Sequence, residues 1–284
     1  MNSLTKKIDF VLFVSVRQAN PNGDPLLGNM PRTDYEGYGE ISDVCIKRKI
    51  RNRLQDMGQE IFVQANDRID DTYASLEDRF KAYFTTKQSD EEVAAAACQR
   101  WIDVRSFGQV MTFQKRALGI RGPVSVSLGK SLSPVDVITM QITRSTNGMA
   151  SESGKRSADT MGTKHFVDFG VYKITGSMNC YFAQRTGFSD EDAQLIRQAL
   201  LSLFENDMSS ARPEGSMAVE KLYWFVHPNA LGIASSAKVH QLVQAQALAD
   251  DKVHDFSDYA VSVDEDRFNL YRQKGLTLEI EDGI

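Results

Sequence analysis

Cysteine and histidine are both scarce in this chain of 284 residues, which has three of the first and four of the second. Cys45, Cys98 and Cys180 lie far apart without Cys-x-x-Cys spacing, and the histidines do not cluster with them. This spacing argues against a zinc site. A sparse, odd number of cysteines is typical of a reducing compartment, so we expect a cytoplasmic protein.

Long apolar runs are absent as well, and the mean hydropathy is −0.35. We therefore predict no membrane-spanning helix and no membrane partner. The N-terminus pairs two lysines with an apolar stretch, as signal peptides do. However, Asp9 interrupts the start of that stretch, and Arg17 and Asn20 stand where small cleavage-site residues belong. We predict a β-strand there instead.

Common catalytic motifs are also missing: the chain has no Gly-x-Ser-x-Gly, no His-Glu-x-x-His and no P-loop. His165, next to Lys164, is a conceivable general base, but an isolated histidine in a polar loop is usually only a loop residue. Residues 20–24 resemble half of a calcium loop, yet Pro31 stands where that loop needs a glutamate. We expect no catalytic residue, no metal and no cofactor.

An excess of positive charge is missing too, since the net charge is −5. Residues 250–284 hold ten acidic and four basic residues, a net charge of −6, which leaves +1 for residues 1–249. The acidity therefore belongs to the C-terminal tail and says little about what the rest of the chain binds.

One segment nevertheless gathers positive charge. Ser42 is placed to cap a helix over residues 43–57, on which Ile46, Ile50 and Leu54 form one apolar stripe. We call this segment the basic helix, and its five cations are Lys47, Arg48, Lys49, Arg51 and Arg53.

The spacing of these cations suggests a ligand. Lys47 with Arg51, and Lys49 with Arg53, are like-charge pairs four residues apart, and each pair costs about a few tenths of a kcal/mol in an isolated helix. A tolerated repulsion favours an anionic partner, and nucleic-acid phosphate is the natural one. An ordinary solvated helix face is the alternative.

Strand-like and helical segments alternate along the chain. Strands are predicted at 7–16, at 101–113 and further within 101–142, at 166–182 and at 217–228. Amphipathic helices are predicted at 43–57 and within 186–207, where Ser189 is the N-cap. A helical insertion is predicted at 58–100, a long β-hairpin or flexible finger at 143–165, and a helix with an acidic, strand-tipped tail beyond residue 230. This order predicts an α+β fold on the split-βαβ or ferredoxin-like plan, which includes the RNA-recognition fold.

Two turns and the finger agree with an RNA partner. The stretches RSFGQ (105–109) and IRGPVS (120–125) pair arginine with glycine near strand ends, where a backbone can approach phosphate closely. Met161 in the basic finger could wedge between bases. Ordinary turns and a disordered loop are the alternatives.

Seven motifs follow one another in an order that resembles a known family. They are NPNGDP (20–25), GNMPRTD (28–34), SDVCIKRKIRN (42–52), DVRSFGQVMT (103–112), RGPVSVSLGKSL (121–132), MGTKHFVDFGVY (161–172) and TGFSDED (186–192). Together they are similar to the Cas-seven backbone subunit of type I-C CRISPR surveillance (Cascade) complexes, the Csd-type family, over about residues 8–228 and again at 255–261.

The resemblance implies a modified RNA-recognition (RRM) fold with hand-like additions. The palm would comprise residues 1–57, 101–142 and 166–230, with helical fingers at 58–100, a β-hairpin-like thumb at 143–165, and a C-terminal helix and acidic tail at 231–284. Several copies would polymerise head to tail along a CRISPR guide RNA (crRNA), and the thumb would displace a nucleotide at regular intervals.

The resemblance also implies site residues. Lys47, Arg48 and Arg51 would hold guide phosphates. Further RNA contacts would come from Asn20, Asn22, Arg105, Gln109 and Arg121, and from Met161, Lys164 and His165 in the thumb. Thr163, Asn206 and Met208 stand where the family pattern has Arg, His and Arg, which weakens the expectation of RNA contacts there, although Arg212 remains.

The implied partners are the guide RNA, target DNA paired with the guide, neighbouring copies, a Cas-five-type subunit, a large PAM-reading subunit and small subunits. Two alternatives stay open. One is a metal-dependent endoribonuclease of the same RAMP-like superfamily, with Asp24 or Asp34 as the catalytic residue, and the other is a monomeric RNA-binding module. The acidic tail would touch a neighbour's basic face or discourage stray RNA.

Overall fold

A computed structural model describes residues 3–114, 116–143, 161–249 and 252–284. Its strands are β1 (Ile8–Ala19), β2 (Gly23–Asp24), β3 (Met30–Pro31), β4 (Tyr38–Ile41), β5 (Gly108–Met111), β6 (Leu118–Arg121), β7 (Val124–Val126), β8 (Gly129–Pro134), β9 (Val137–Thr143), β10 (Met161–Met178), β11 (Met217–Val226), β12 (Val243–Ala247), β13 (Tyr259–Val263) and β14 (Thr277–Asp282). Its helices are α1 (Asp43–Asp56), α2 (Leu76–Tyr83), α3 (Asp90–Arg100), α4 (Ile102–Phe107), α5 (Cys180–Thr186), α6 (Asp190–Leu201), α7 (Ser236–His240) and α8 (Glu265–Arg272). None of these helices is long and apolar enough to span a membrane.

The described residues form a large antiparallel sheet with the strand order β14-β11-β1-β10-β8-β4, to which β7 and β9 add by pairing with β10. Strand β1 lies in the middle. It pairs with β10 from Ile8 opposite Met178 to Ala19 opposite Val167, and with β11 on its other side. Because both faces of β1 are covered, its sequence is an almost continuous apolar run.

Helices α1 and α6 cover one face of the sheet. Ile46 and Ile50 of α1 and Ile196 of α6 are buried in the main hydrophobic core with side chains of β1 and β10. Ser42 caps α1, and Ser189 forms a capping box at the start of α6, so both helices begin where the sequence predicts. Helix α6 ends at Leu201, earlier than the predicted residue 207.

The opposite face is covered by the C-terminal part of the chain. Val239, Leu242, Phe268 and Leu276 bury a second core against the sheet. The prediction of one helix followed by a tail is therefore too simple, because this part folds as α7, a β12–β13 hairpin, α8 and the edge strand β14. Four of its acidic residues pair with cations of the body: Asp255 with Arg17 at 3.5 Å, Glu279 and Glu281 with Arg197, and Asp282 with Lys221.

A third core lies in the helical insertion and is built around aromatic side chains such as Phe62, Phe80 and Trp101. This cluster continues to Leu118, past residue 100, where the predicted insertion ends. The strand predicted at 101–113 is wrong in its first half, because residues 102–107 form α4. Trp101 and Val104 are three residues apart and enter the third core together, and a short apolar run of this kind does not reveal its period.

The strand predicted at 166–182 is too long by a few residues. It ends at Met178, and Asn179 caps α5, its side-chain oxygen accepting the backbone N–H of Tyr181 at 2.9 Å. An asparagine cap starts a helix here although the residues that follow are aromatic.

The predicted excursion at 143–165 emerges from the sheet between β9 and β10. These strands pair from Val137 opposite Val167 to Thr143 opposite Met161, so its described ends belong to one antiparallel ribbon. The rest of the excursion, residues 144–160, lies outside the described residues. We refer to residues 137–143 and 161–167 as the ribbon.

Candidate nucleic-acid interface

The loop between β1 and α1 is held together by its own side chains. Asn20 is buried and donates through Nδ2 to the backbone carbonyl of Asn29 at 2.7 Å. Asn22 accepts the backbone N–H of Ser42 through Oδ1 at 2.8 Å, which ties the loop to the cap of α1. Both asparagines therefore shape the loop beside the helix N-terminus, and their direct contact with RNA stays a prediction.

The two carboxylates considered for metal-dependent cleavage also serve this loop. Asp24 accepts the backbone N–H of Leu26 at 3.0 Å. Asp34 accepts two backbone N–H groups of its own turn and pairs with Lys130 at 2.7 Å. The hydrogen bond from Lys130 holds the pKa of Asp34 below its ordinary value. The described part of the chain contains no group of three His, Cys, Asp or Glu side chains that could hold a metal ion.

Lys47 and Arg48 follow one another on the basic helix, and both are partly exposed. Lys47 donates through Nζ to Asp43 at 3.0 Å, in a pair that solvent reaches. Arg48 donates through Nη1 to the backbone carbonyl of Val63 at 2.7 Å, and burial, followed by the nearby charge of Arg51, lowers its pKa. Since an exposed ion pair contributes only about 0–1 kcal/mol, a phosphate can replace Asp43 beside Lys47 at little cost.

Arg51 points into the protein. Its Nε donates to Oδ2 of Asp103 at 3.0 Å, and its guanidinium carbon lies 5.0 Å from the centre of the Phe107 ring. Asp103 is fully buried and also accepts the backbone N–H groups of Phe62 and Val63 at 2.8 and 3.1 Å. This carboxylate thereby joins α1, α4 and the segment between α1 and α2.

Lys49 and Arg53, on the other flank of α1, hold the loop that follows α6. Lys49 is only 3% exposed and forms an ion pair with Asp207, which also accepts from Arg212 at 3.1 Å. Burial lowers the pKa of Lys49 and the charge of Asp207 opposes that effect. Arg53 donates through Nε to Oγ of Ser202 at 2.7 Å.

All five cations of the basic helix thus have partners within the chain. The repulsion indicated by the sequence is offset by internal acids and carbonyls. The like-charge spacing therefore carries no argument for an external anion, and RNA binding by this helix must rest on other observations.

The segment around Arg105 and Gln109 is also organised internally. Arg105 makes two hydrogen bonds with Asp192, at 2.9 and 2.8 Å, which join α4 to α6. Gln109 donates to the carbonyl of the next residue at 3.0 Å. Gly108 has a φ of +77°, and a Cβ there would lie 2.2 Å from the carbonyl oxygen of Ile120. The glycine thus allows β5 and β6 to approach one another, and a phosphate contact at this turn stays a prediction.

Arg121 differs from Arg51 and Arg105, which both pair with a carboxylate. It is exposed, and its guanidinium carbon lies 4.3 Å from the centre of the Phe182 ring on α5. Among the described residues no carboxylate lies within ion-pair distance of it. Its donors therefore remain available to a ligand.

The ribbon carries Met161, Lys164 and His165. Met161 is 67% exposed, and Nδ1 of His165 lies 2.8 Å from Oγ of Thr139 on the paired strand. Because side chains alternate along a strand, Met161 and His165 belong to one face of the ribbon, and Lys164, opposite Met140, belongs to the other. The three residues do not form one continuous contact surface.

The structure brings Asn22 to the start of α1, where Lys47, Arg48 and Arg51 follow, but Arg121 and the ribbon residues lie on other elements. Sequence reasoning missed the acids that pair with the predicted site residues. Asp103 and Asp192 are 52 and 87 residues away from their arginines, so no local pattern reveals them. It also missed helix α5, on which Tyr181 and Arg185, four residues apart, share one face.

Comparisons with known proteins agree with one another. The sequence model of the family described as "CRISPR-associated protein Cas7" matches residues 6–264. A relative from Haloferax volcanii, named CRISPR-associated protein Cas7, is 26% identical over 221 residues, which cover 70% of this chain and 65% of the relative. The alignment thus spans slightly less than two thirds of that relative's length.

Two solved structures share the fold. A chain of a "CRISPR RNA-guided surveillance complex" superposes with a TM-score of 0.54 at 13% identity, covering 97% of this chain and 88% of that chain. A chain of a "CRISPR RNA-guided surveillance complex, pre-nicking" gives a TM-score of 0.53 at 13% identity, covering 94% and 88%. Since the family model matches nearly the whole chain, from the start of β1 to the end of β13, the chain belongs to the CRISPR-associated Cas7 family.

Proposed function

We propose that this chain is the backbone subunit of a type I-C CRISPR surveillance complex. Copies polymerise head to tail along the spacer of the crRNA and present it for pairing with target DNA in antiviral defence. The observation that carries the proposal is the Cas7 family match over residues 6–264. The seven ordered motifs support the type I-C assignment.

The topology supports a palm of the RNA-recognition type. Strands β11, β1, β10 and β8 follow one another in the sheet, and α1 and α6 share one face. The separate core of the helical insertion supports fingers, and the ribbon supports the base of a thumb.

Phosphate binding by α1 is the expected RNA contact. Lys47 is the cation on this helix that is most easily released from its partner, and Arg48 lies next to it. Contacts to phosphate position an RNA strand without reading its sequence, so one subunit can hold any spacer. Base pairing between guide and target then supplies the sequence specificity.

The ribbon supports contact with a neighbouring copy or with the guide. Ile138, Met140 and Ile142 alternate onto one face and are 37%, 51% and 51% exposed. An exposed apolar stripe marks an interaction surface, and head-to-tail stacking along RNA would cover it.

The remaining partners follow from the same proposal. They are a Cas-five-type subunit, a large PAM-reading subunit and small subunits, assembled in the cytoplasm. We assign no catalytic role, because Asp24 and Asp34 are both engaged in shaping the β1–α1 loop. Cleavage of a paired RNA target on addition of Mg²⁺ would instead favour the endoribonuclease alternative.

Mass photometry with RNAs of increasing length tests the proposal. We expect the mass to rise in regular steps with RNA length and the steps to weaken at higher salt. A Lys47→Ala, Arg48→Ala double variant should lose most of the assembly. The matched control is Arg272→Ala with Lys274→Ala, which removes the same charge from an exposed site on the acidic C-terminal part. One copy per RNA at every length would favour the monomeric binding module and contradict the proposal.

A further inference from the structure

Two arginines stack on two adjoining aromatic rings at the surface of α5. Arg121 lies over Phe182 at 4.3 Å, and Arg185 lies over Tyr181 at 4.5 Å and also donates to the Tyr181 hydroxyl. The two rings meet edge to face with their centres 5.5 Å apart. We call these four residues the arginine–aromatic patch.

The two arginines of the patch differ from most other arginines of the described residues, which pair with a carboxylate. Sixteen arginines lie in the described residues, and twelve of them pair with a carboxylate within 4.0 Å. Arg121, Arg185 and Arg272 instead lie over aromatic rings without such a carboxylate. Two of these three meet at one place, so positive charge without an internal counter-ion concentrates there.

A guanidinium that lies over an aromatic ring is held in place while most of its hydrogen-bond donors stay free; Arg185 uses one of its donors on the Tyr181 hydroxyl. The N–H groups of a guanidinium lie along the edges of its plane, and those that have no partner within the protein fit the two oxygens of a phosphate. Tyr181 keeps 57% of its surface exposed beside Arg185. The patch therefore offers an open ring and open phosphate donors side by side.

The patch is also rigid. Asn179 caps α5, and Ala183 and Thr186 on the inner side of this helix are buried. The helix packs against α3, α4 and β6, so Arg121 at the end of β6 and the rings on α5 are held together by backbone elements. A preorganised surface loses little conformational entropy when it binds a ligand.

We propose that the arginine–aromatic patch binds unpaired nucleotides of a single-stranded nucleic acid. Tyr181 stacks on a base, and Arg121 and Arg185 hold the flanking phosphates. The inference rests on the proposed function for the presence of nucleic acid and adds base stacking to the phosphate contacts of α1. Tyrosine and arginine also occur at protein interfaces, but Arg121 and Arg185 have no carboxylate counter-ion among the residues that the structure describes, which favours a polyanion.

Fluorescence anisotropy of the whole chain with labelled oligonucleotides tests this inference. Three probes of about twelve nucleotides match the site sizes of single-strand binders: oligouridine, oligodeoxythymidine and a base-free sugar-phosphate strand. We expect Tyr181→Ala to weaken both base-containing probes roughly 5- to 150-fold and to weaken the base-free probe much less, since that probe loses only the support that the Tyr181 ring gives to Arg185. Arg121→Ala with Arg185→Ala should weaken all three probes.

The controls separate stacking from charge and from folding. Arg272→Ala removes an arginine that stacks on Phe268 at 5.7 Å in the acidic part of the chain, and it should change no affinity. Tyr181→Phe keeps the ring and removes the hydroxyl that accepts from Arg185, so it should retain most of the affinity that Tyr181→Ala loses for the base-containing probes. Circular dichroism melts show that each variant is folded. The relative affinity for the RNA and DNA probes identifies which strand the patch receives.

Several outcomes would overturn the inference. The first is an unchanged affinity for all three probes in the patch variants. The second is a Tyr181→Ala variant that loses as much affinity for the base-free probe as for the base-containing probes. The third is a patch variant whose mass without RNA, measured by mass photometry, differs from that of the parent, which would indicate that the patch contacts protein. If only the Lys47→Ala, Arg48→Ala double variant loses affinity for the probes, the proposed function is supported and the inference about the patch is wrong. If only the patch variants lose affinity, the inference about the patch is supported and the proposed phosphate contact of α1 is wrong.

Discussion

Replacing Asp103 with alanine tests whether the basic helix is held from inside the protein. Asp103 is fully buried and accepts three hydrogen bonds, from Nε of Arg51 and from the backbone N–H groups of Phe62 and Val63. Its removal leaves a largely buried guanidinium without a counter-ion. Breaking a buried ion pair on one side costs about 3–5 kcal/mol, and the orphaned N–H groups place the expected loss in the upper part of that range.

Urea unfolding followed by circular dichroism measures the free energy of unfolding. We expect Asp103→Ala to lower it by about 4–5 kcal/mol, and Asp103→Asn, which keeps one acceptor oxygen, to lower it less. In a double-mutant cycle, Arg51→Met and Asp103→Ala should show a coupling energy of about 1–3 kcal/mol. The matched control is Asp43→Ala, whose partner Lys47 is solvent accessible, and it should cost at most about 1 kcal/mol.

A cost for Asp103→Ala no larger than that of the control, or two single effects that simply add, would refute this reasoning. The result also decides how RNA-binding data on Arg51 are interpreted. If Arg51 stabilises the contact between α1 and α4, Arg51→Ala weakens RNA binding through lost structure. Lys47→Ala then becomes the cleaner test of phosphate contact.

Three further predictions concern pH, backbone packing and the ribbon. Burial lowers the pKa of His240 below its ordinary 6.5, so the unfolded chain binds more protons than the folded chain as the pH falls through that value, and the protein loses stability. His240→Asn should reduce this loss when the urea midpoint of unfolding is measured from about pH 7.5 to pH 5. The same dependence of the midpoint on pH in the variant and the parent would contradict the prediction. Gly108→Ala should lower the free energy of unfolding by about 2 kcal/mol or more, because the φ of Gly108 is +77° and the new Cβ would lie 2.2 Å from the Ile120 carbonyl oxygen. Thermal unfolding measures this loss, and an unchanged melting temperature would contradict the prediction. Met140→Ser with Ile142→Ser should change stability by no more than about 0.5 kcal/mol per exposed site yet reduce stepwise assembly on RNA in mass photometry, and full assembly would show that this face is not a contact.

The elements with the most local information were predictable. Strand β1 is a continuous apolar run, and α1 and α6 each combine a serine cap with an apolar stripe. Caps and apolar periodicity involve residues that are close in sequence, so they can be recognised without knowledge of the rest of the fold. The α+β class followed from their order.

The errors fall where tertiary contacts override local preference. The apolar residues of 102–107 suit a strand as well as a helix, and packing of Trp101 and Val104 in the third core selects the helix. The helix α5 was missed because aromatic residues favour strands, while its cap, Asn179, acts through a single hydrogen-bonding side chain. The arginine–aromatic patch depends on α5 and was missed with it.

The amino-acid sequence by itself determined where β1, α1 and α6 form and that α1 carries five cations, because periodicity, caps and charge are properties of neighbouring residues. Only the tertiary structure decided what those cations do. Lys49 meets Asp207 across 158 residues of chain, and Arg51 meets Asp103 across 52. Charges interact according to their distance in space and their burial, neither of which is written in the spacing of residues along the chain.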